Sequence, residues 1–134
     1  MLPRERRILC AEPHEDTCSL ISMLLVRQGH QVVSAKTIGE CLALAGRELF
    51  DLYILDDDYI DGTSLELCKQ LRRLTPKTPI LFFSSHAFQR DRDRGLEAGA
   101  SAYLTKPGDI FEIVQIINAI LRPSALGPAP NEAE

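Results

Sequence analysis

Asp51-Leu52-Tyr53-Ile54-Leu55-Asp56 is an unbroken apolar run closed by a carboxylate at each end. Successive residues of a strand point to opposite faces, so a strand that is apolar at every position is buried on both sides. That pattern belongs to a parallel sheet covered by helices above and below. It also places the last carboxylate, Asp56, at the end of the sheet.

The flanking segments repeat the pattern. Upstream, Ile8-Leu9-Cys10-Ala11 is a second short apolar run, ended by Glu12-Pro13-His14-Glu15-Asp16. From Asp16 the spacing of Leu20, Ile21, Leu24 and Leu25 turns helical, and Gly29 stops that helix. Gln31-Val32-Val33-Ser34-Ala35 reads as a strand, and Thr37 with Glu40 three residues on opens a helix to about Arg47. Downstream, Thr63 and Glu66 repeat the capping pair ahead of Leu67 and Leu71. Pro76 and Pro79 bracket a turn before the strand Ile80-Leu81-Phe82-Phe83-Ser84. The alternating charges of Arg90 to Arg94 predict an exposed helix face, and Ala100 to Leu104 predicts a short fifth strand. Asp109 and Glu112 then lead a helix in which Ile110, Ile113, Val114, Ile117 and Leu121 keep a 3.6-residue period. The Pro and Gly of residues 123–134 cannot build a core, so that tail is expected to be disordered and the folded domain to span 1–122.

Five strands alternating with helices define an α/β fold. The expectation is a flavodoxin-like, doubly wound, five-stranded parallel sheet in the order 2-1-3-4-5, with helices on both faces. A length of 134 residues suits one domain, and 45% hydrophobic with 25% charged residues argues against disorder. The net charge of −4 and the pI near 5.4 supply no basic field for nucleic acid, so no direct nucleic-acid contact is expected. No apolar run approaches the roughly 20 residues that cross a bilayer, and the charged start, with no long apolar stretch behind it, is not expected to carry a secretory signal. Cys10, Cys18, Cys41 and Cys68 form no CxxC pair. They read as small core residues, and the expected location is cytoplasmic, away from membranes.

In open parallel sheets the ligand crevice lies beyond the carboxyl ends of the strands. That rule brings together Glu12 and Pro13, Asp56 to Asp58, Ser84 and Ser85, and Lys106. A carboxylate can attack phosphorus to form an acyl phosphate. An ammonium can balance the added charge, a hydroxyl can bond a phosphoryl oxygen, and carboxylates can hold a divalent cation nearby. Pro107 directly after Lys106 constrains the turn that aims the lysine.

These segments, ordered and correctly spaced, resemble a two-component response-regulator receiver domain over roughly residues 6 to 122. The resemblance rests on Ile8 to Glu12, Asp51 to Asp56, Asp61 to Leu67, Pro79 to Ser85, and Gly95 to Pro107. It implies that Asp56 is the phosphoacceptor, charged by a histidine kinase or a phosphotransfer protein. It implies that Ser84 and Lys106 contact the phosphoryl group, and that Tyr103 is the aromatic switch that turns inward when the hydroxyl is engaged. The Lys106-Pro107 peptide is similar to one that is cis in the family. The fourth helix, fifth strand and last helix correspond to the face that docks a downstream target or a second copy in a homodimer.

Several positions depart from the pattern. Where the family shows two adjacent acids after its first strand, the second a direct Mg²⁺ ligand, this chain has Glu12 and Pro13. Proline offers no side-chain oxygen, so Mg²⁺ is expected to bind weakly, through Glu12, Asp56 and Asp58. The choice of Asp58 assumes that strand alternation continues past Asp56, which turns Asp57 away. His14 and Glu15 are neighbours that could contribute; His30 and His86 read as surface or turn residues. Ile60, Ser64 and Ser85 replace a usual proline, glycine and small apolar residue, pointing to a reshaped loop. Three functions follow. The first is a phosphorylatable switch, and the second a pseudo-receiver that binds partners without phosphorylation because Pro13 removes a ligand. The third is remote: Asp56-Asp57-Asp58 is superficially similar to the DxD motif of haloacid-dehalogenase-type phosphatases, which sits on that family's first strand.

Overall fold

In the computed structural model, which describes residues 5–106 and 112–122, the all-apolar segments become the centre of one sheet. The elements run β1 (Arg7–Ala11), α1 (Glu15–Val26), β2 (Gln31–Ala35), α2 (Ile38–Arg47), β3 (Leu52–Leu55), β4 (Asp58–Tyr59), β5 (Gly62–Thr63). They continue α3 (Ser64–Leu74), β6 (Ile80–Ser84), α4 (Gln89–Glu97), β7 (Ala102–Thr105) and α5 (Ile113–Leu121). The parallel sheet has the order β2-β1-β3-β6-β7, which is the expected 2-1-3-4-5 arrangement once the small β4–β5 hairpin is set aside. β3 is buried at every residue; β2, at the edge, exposes Gln31 and Ser34.

Alternation along the strands divides the core into two layers. Leu9, Ala11, Tyr53, Leu55 and Phe82 pack with Cys41 and Ala45 of α2 and Leu67, Cys68 and Leu71 of α3. Ile8, Cys10, Leu52, Ile54, Leu81 and Phe83 pack with Ile21 and Leu25 of α1 and Ile113, Ile117 and Leu121 of α5. Each fully buried Leu, Ile or Phe among them contributes roughly 1.5–3 kcal/mol, so the layered burial is what holds the strand ends in register. All four cysteines are free and buried, in agreement with their reading as core residues.

The helix starts follow their threonines: Thr37 Oγ1 accepts from Glu40 N at 3.1 Å, and Thr63 Oγ1 from Glu66 N at 3.2 Å. Two details differ. The last strand begins at Ala102, two residues later than its apolar pattern, because Ala100 N instead closes the end of α4 onto Gly95 O at 3.1 Å. The reshaped loop after β3 is an antiparallel hairpin pairing Asp58 with Thr63 and Tyr59 with Gly62. The Lys106-Pro107 peptide, Asp109 and the tail 123–134 lie outside the described residues.

Candidate functional site

Strand register assembles the site. Ala11 pairs with Leu55 and Ser84 with Thr105, so Glu12, Asp56 and Lys106 are each the first residue beyond a strand on the same edge. Glu12 is 2% exposed and Asp56 1%. The Lys106 ammonium donates to Glu12 Oε1 at 2.9 Å and also to Asp56 Oδ1. His14 Nδ1 lies 3.0 Å from Glu12 Oε2 and 3.3 Å from Asp56 Oδ2. Asp56 Oδ2 is buried and accepts no hydrogen bond.

Burial pushes the Asp56 carboxyl above its usual range and the Glu12 charge adds to this, while Lys106 opposes it. Burial alone would lower Lys106, but its bonds to Asp56 and Glu12 prevail and raise it. The hydrogen bond to Glu12, followed by the Asp56 charge, raises His14. Lys106 and His14 are thus shifted toward their charged forms, while Asp56 is shifted toward its neutral one.

Asp56 is also held by its backbone. Its amide donates to the Tyr59 hydroxyl at 2.9 Å, and that hydroxyl donates to the Ala11 carbonyl at 2.7 Å. Tyr59 thus ties the ends of β1 and β3 together from inside the hairpin. Nothing in the spacing of the acidic loop marks it, beyond the presence of one aromatic residue among carboxylates.

Asp57 engages the hydroxyl side of the site. It accepts the Ser84 and Ser85 hydroxyls and, at 2.9 Å, the Ser85 amide. Burial pushes the Asp57 carboxyl up, but these donors outweigh it and hold the group below its usual range. Ser84 Oγ also accepts from His86 N at 2.9 Å and lies 3.1 Å from the Tyr103 hydroxyl. The Tyr103 hydroxyl donates to the His86 carbonyl at 2.7 Å, and its ring stacks on Phe82 at 5.4 Å. A Cβ at Gly95 would come within 2.8 Å of that ring, so glycine in α4 leaves the space the tyrosine occupies.

The acidic loop does not alternate as an uninterrupted strand would. Asp58, placed with Glu12 and Asp56 by that alternation, is exposed on the hairpin and is not in the group of possible metal ligands, which is Glu12, His14 and Asp56. The cause is the break in the strand at Asp56 and Asp57, followed by re-pairing of Asp58 with Thr63. Glu15 turns outward to Lys36, 3.4 Å away. Asp61 uses both carboxylate oxygens, each at 2.9 Å, on the amides of Ile38 and Gly39 at the start of α2.

Those amides hold Asp61 below its ordinary value of 3.8. A depressed carboxyl contributes stability above the unfolded value and loses it as pH falls through the folded one. Asp61→Asn is therefore expected to be less stable than the parent at neutral pH, with the gap closing in strong acid; paired urea midpoints measure it. An equal gap at both pH values would mean that charge plays no part.

The sequence matches the response regulator receiver domain over residues 8–118. The chain belongs to that family. It is 34% identical over 127 residues to the Bacillus subtilis alkaline phosphatase synthesis transcriptional regulatory protein PhoP, covering 95% of this chain and 53% of that protein. It is 31% identical over 119 residues to the Escherichia coli phosphate regulon transcriptional regulatory protein PhoB, covering 87% and 52%. The chain thus spans about half the length of these curated relatives. Among solved structures, the non-phosphorylated HemR receiver domain from Leptospira biflexa superposes with a TM-score of 0.82 at 28% identity, over 92% of this chain and 98% of that one. As a receiver domain of the two-component type, the chain is a signalling module. Among the described residues, no helix is long and apolar enough to cross a membrane.

For the cation that receiver domains bind at an acidic pocket, the fit is partial. Glu12 and Asp56 present carboxylates, and the unbonded Asp56 Oδ2 is a buried acceptor in need of a partner. The third donor is a nitrogen, on His14.

Proposed function

We propose that this receiver domain takes a phosphoryl group onto Asp56 from a histidine kinase or phosphotransfer protein, and so switches a partner-binding face. The observation that carries the reading is the unequal state of the two Asp56 oxygens. Oδ1 is held by Lys106, whereas Oδ2 accepts no hydrogen bond. Oδ2 would attack phosphorus, forming the carboxyl O–P bond as the P–N bond to the donor histidine breaks, and the imidazole leaves with the electron pair. His14, whose side chain is 69% exposed, is the lip that turns aside to admit the donor. A divalent cation bound by the nearby donors would offset charge on the phosphoryl oxygens.

Lys106 then balances the charge added to Asp56. Ser84 would exchange its bond to Asp57 for one to a phosphoryl oxygen, and Tyr103, already bonded beside it, would report the exchange to α4 and β7. That face is proposed to dock the downstream target, or a second copy of the chain.

A second reading has its own support. Asp57 already occupies the Ser84 and Ser85 hydroxyls, Tyr103 already contacts Ser84, and Pro13 adds no ligand. A domain held this way could bind its partner constitutively, as a pseudo-receiver. The DxD phosphatase reading draws no such support, since the exposed Asp58 is outside the group around Asp56.

Intact-mass measurement after incubation with acetyl phosphate and a divalent cation separates the first two. A phosphoryl adduct present in the parent and abolished in Asp56→Ala is the expected result. A parent that stays unmodified at millimolar cation would establish the pseudo-receiver instead.

A further inference from the structure

We propose that Glu12, His14 and Asp56 form a mixed nitrogen–oxygen site for a borderline divalent cation of the zinc type, with His14 Nδ1 as a direct ligand. The ligand atoms of these three residues lie within 4.8 Å of one another. Nδ1 is 3.0 Å from Glu12 Oε2 and 3.3 Å from Asp56 Oδ2. Zinc bonds of about 2.0–2.2 Å require donor atoms roughly 3.3–3.5 Å apart around a tetrahedron. The two contacts of His14 Nδ1 therefore need to spread by only a few tenths of an ångström, while the two carboxylate oxygens, within 4.8 Å of each other, settle to the same spacing.

Independent support comes from Asp56, whose side chain is fully buried and whose Oδ2 has no hydrogen-bond donor. A buried carboxylate oxygen that accepts no hydrogen bond is costly, and a cation at the centre of the cluster would satisfy it. His14 follows Pro13 directly, two residues beyond Glu12. It occupies the N-cap of α1, yet its ring makes no capping bond. Instead its backbone amide is anchored on Glu12 Oε2 at 3.0 Å, with the ring facing the two carboxylates.

The donor set also selects among cations. Mg²⁺ demands an octahedron of oxygens, but Lys106 already occupies Glu12 Oε1 and Asp56 Oδ1. One oxygen per carboxylate remains unclaimed by the lysine, with Glu12 Oε2 also accepting the His14 amide, together with an imidazole, a ligand suited to zinc and its first-row neighbours. The cation replaces the proton that Nδ1 shares with Glu12, and that proton moves to Nε2 or to solvent.

The ion is held in the resting state and would yield Oδ2 when a phosphoryl donor enters; its binding does not require Asp56 to accept a phosphoryl group, so this proposal and the phosphoacceptor reading fail separately. The test uses the full chain, stripped with chelator and titrated calorimetrically with ZnCl₂ and, separately, MgCl₂. His14→Ala is expected to weaken Zn²⁺ by at least about tenfold, since even outer-shell partners of a metal carry that much, and to leave Mg²⁺ binding unchanged. In the unmutated protein, long-range ¹H–¹⁵N spectra should show Nδ1 of His14 shifting to the metal-bound position while His30 and His86 stay put. Equal Zn²⁺ affinity in the parent and His14→Ala, or unmoved His14 nitrogens at saturating Zn²⁺, would overturn the proposal. The spectra decide the matter even if the variant folds poorly.

Discussion

Lys106→Met is expected to destabilise the protein by about 3–5 kcal/mol at neutral pH, the usual cost of removing one partner from a buried ionic cluster. The Asp56 side chain has no exposure and that of Glu12 only 3%. Without the ammonium the two buried carboxylates lose the cation that bonds to both. Burial already raises Asp56 above 3.8, and loss of Lys106 removes the main influence holding it down. A raised carboxyl pKa means that the folded state binds the proton more tightly than the unfolded chain, so stability falls as pH rises. The deficit should be complete above the raised value in the variant and shrink as pH drops toward 3.8. Urea denaturation across that range measures it, and Asp56→Asn added to the variant should restore much of the loss at neutral pH. A deficit independent of pH would assign the effect to the lysine stem and its contact with the Phe83 ring, 5.7 Å from Nζ, and not to charge.

Tyr59→Phe is expected to cost about 2 kcal/mol, although it removes a single oxygen. That hydroxyl serves two buried backbone groups, the Asp56 amide and the Ala11 carbonyl. Leaving a buried polar group without a partner costs roughly 1–3 kcal/mol. The loss falls on the peptide that carries the acceptor, so hydrogen exchange at the Asp56 amide should accelerate more than exchange in β2. A variant within about 0.5 kcal/mol of the parent, the usual range of neutral surface changes, would show that water replaces the hydroxyl.

These two residues differ in how far the sequence exposes them. Lys106 follows a short strand and precedes a proline, so its place at the sheet end and its meeting with Asp56 can be read from strand ends alone. Tyr59 acts on Ala11, 48 residues away, through a hairpin whose formation depends on contacts such as Ser64 N to Asp57 O at 3.2 Å. The same distinction explains the acidic loop. Period-two reasoning assigns Asp58 to the site only while the chain stays extended, and the strand ends at Leu55. His14 was legible only as a neighbour of Glu12; the contact of its ring with the two carboxylates is a matter of tertiary geometry.

Hydrophobic patterning by itself determined the five-stranded parallel sheet, the helices that cover it, and the edge where Glu12, Asp56, Ser84 and Lys106 meet. It could do so because burial on two faces leaves a parallel strand almost no other composition. Only the folded structure decided that Asp57 clasps the serines, that Asp58 stays in solvent, and that His14 completes the carboxylate pair. Those outcomes depend on directional hydrogen bonds between loops distant in sequence, where a turn of a few tens of degrees exchanges one carboxylate for its neighbour and no periodicity records the choice.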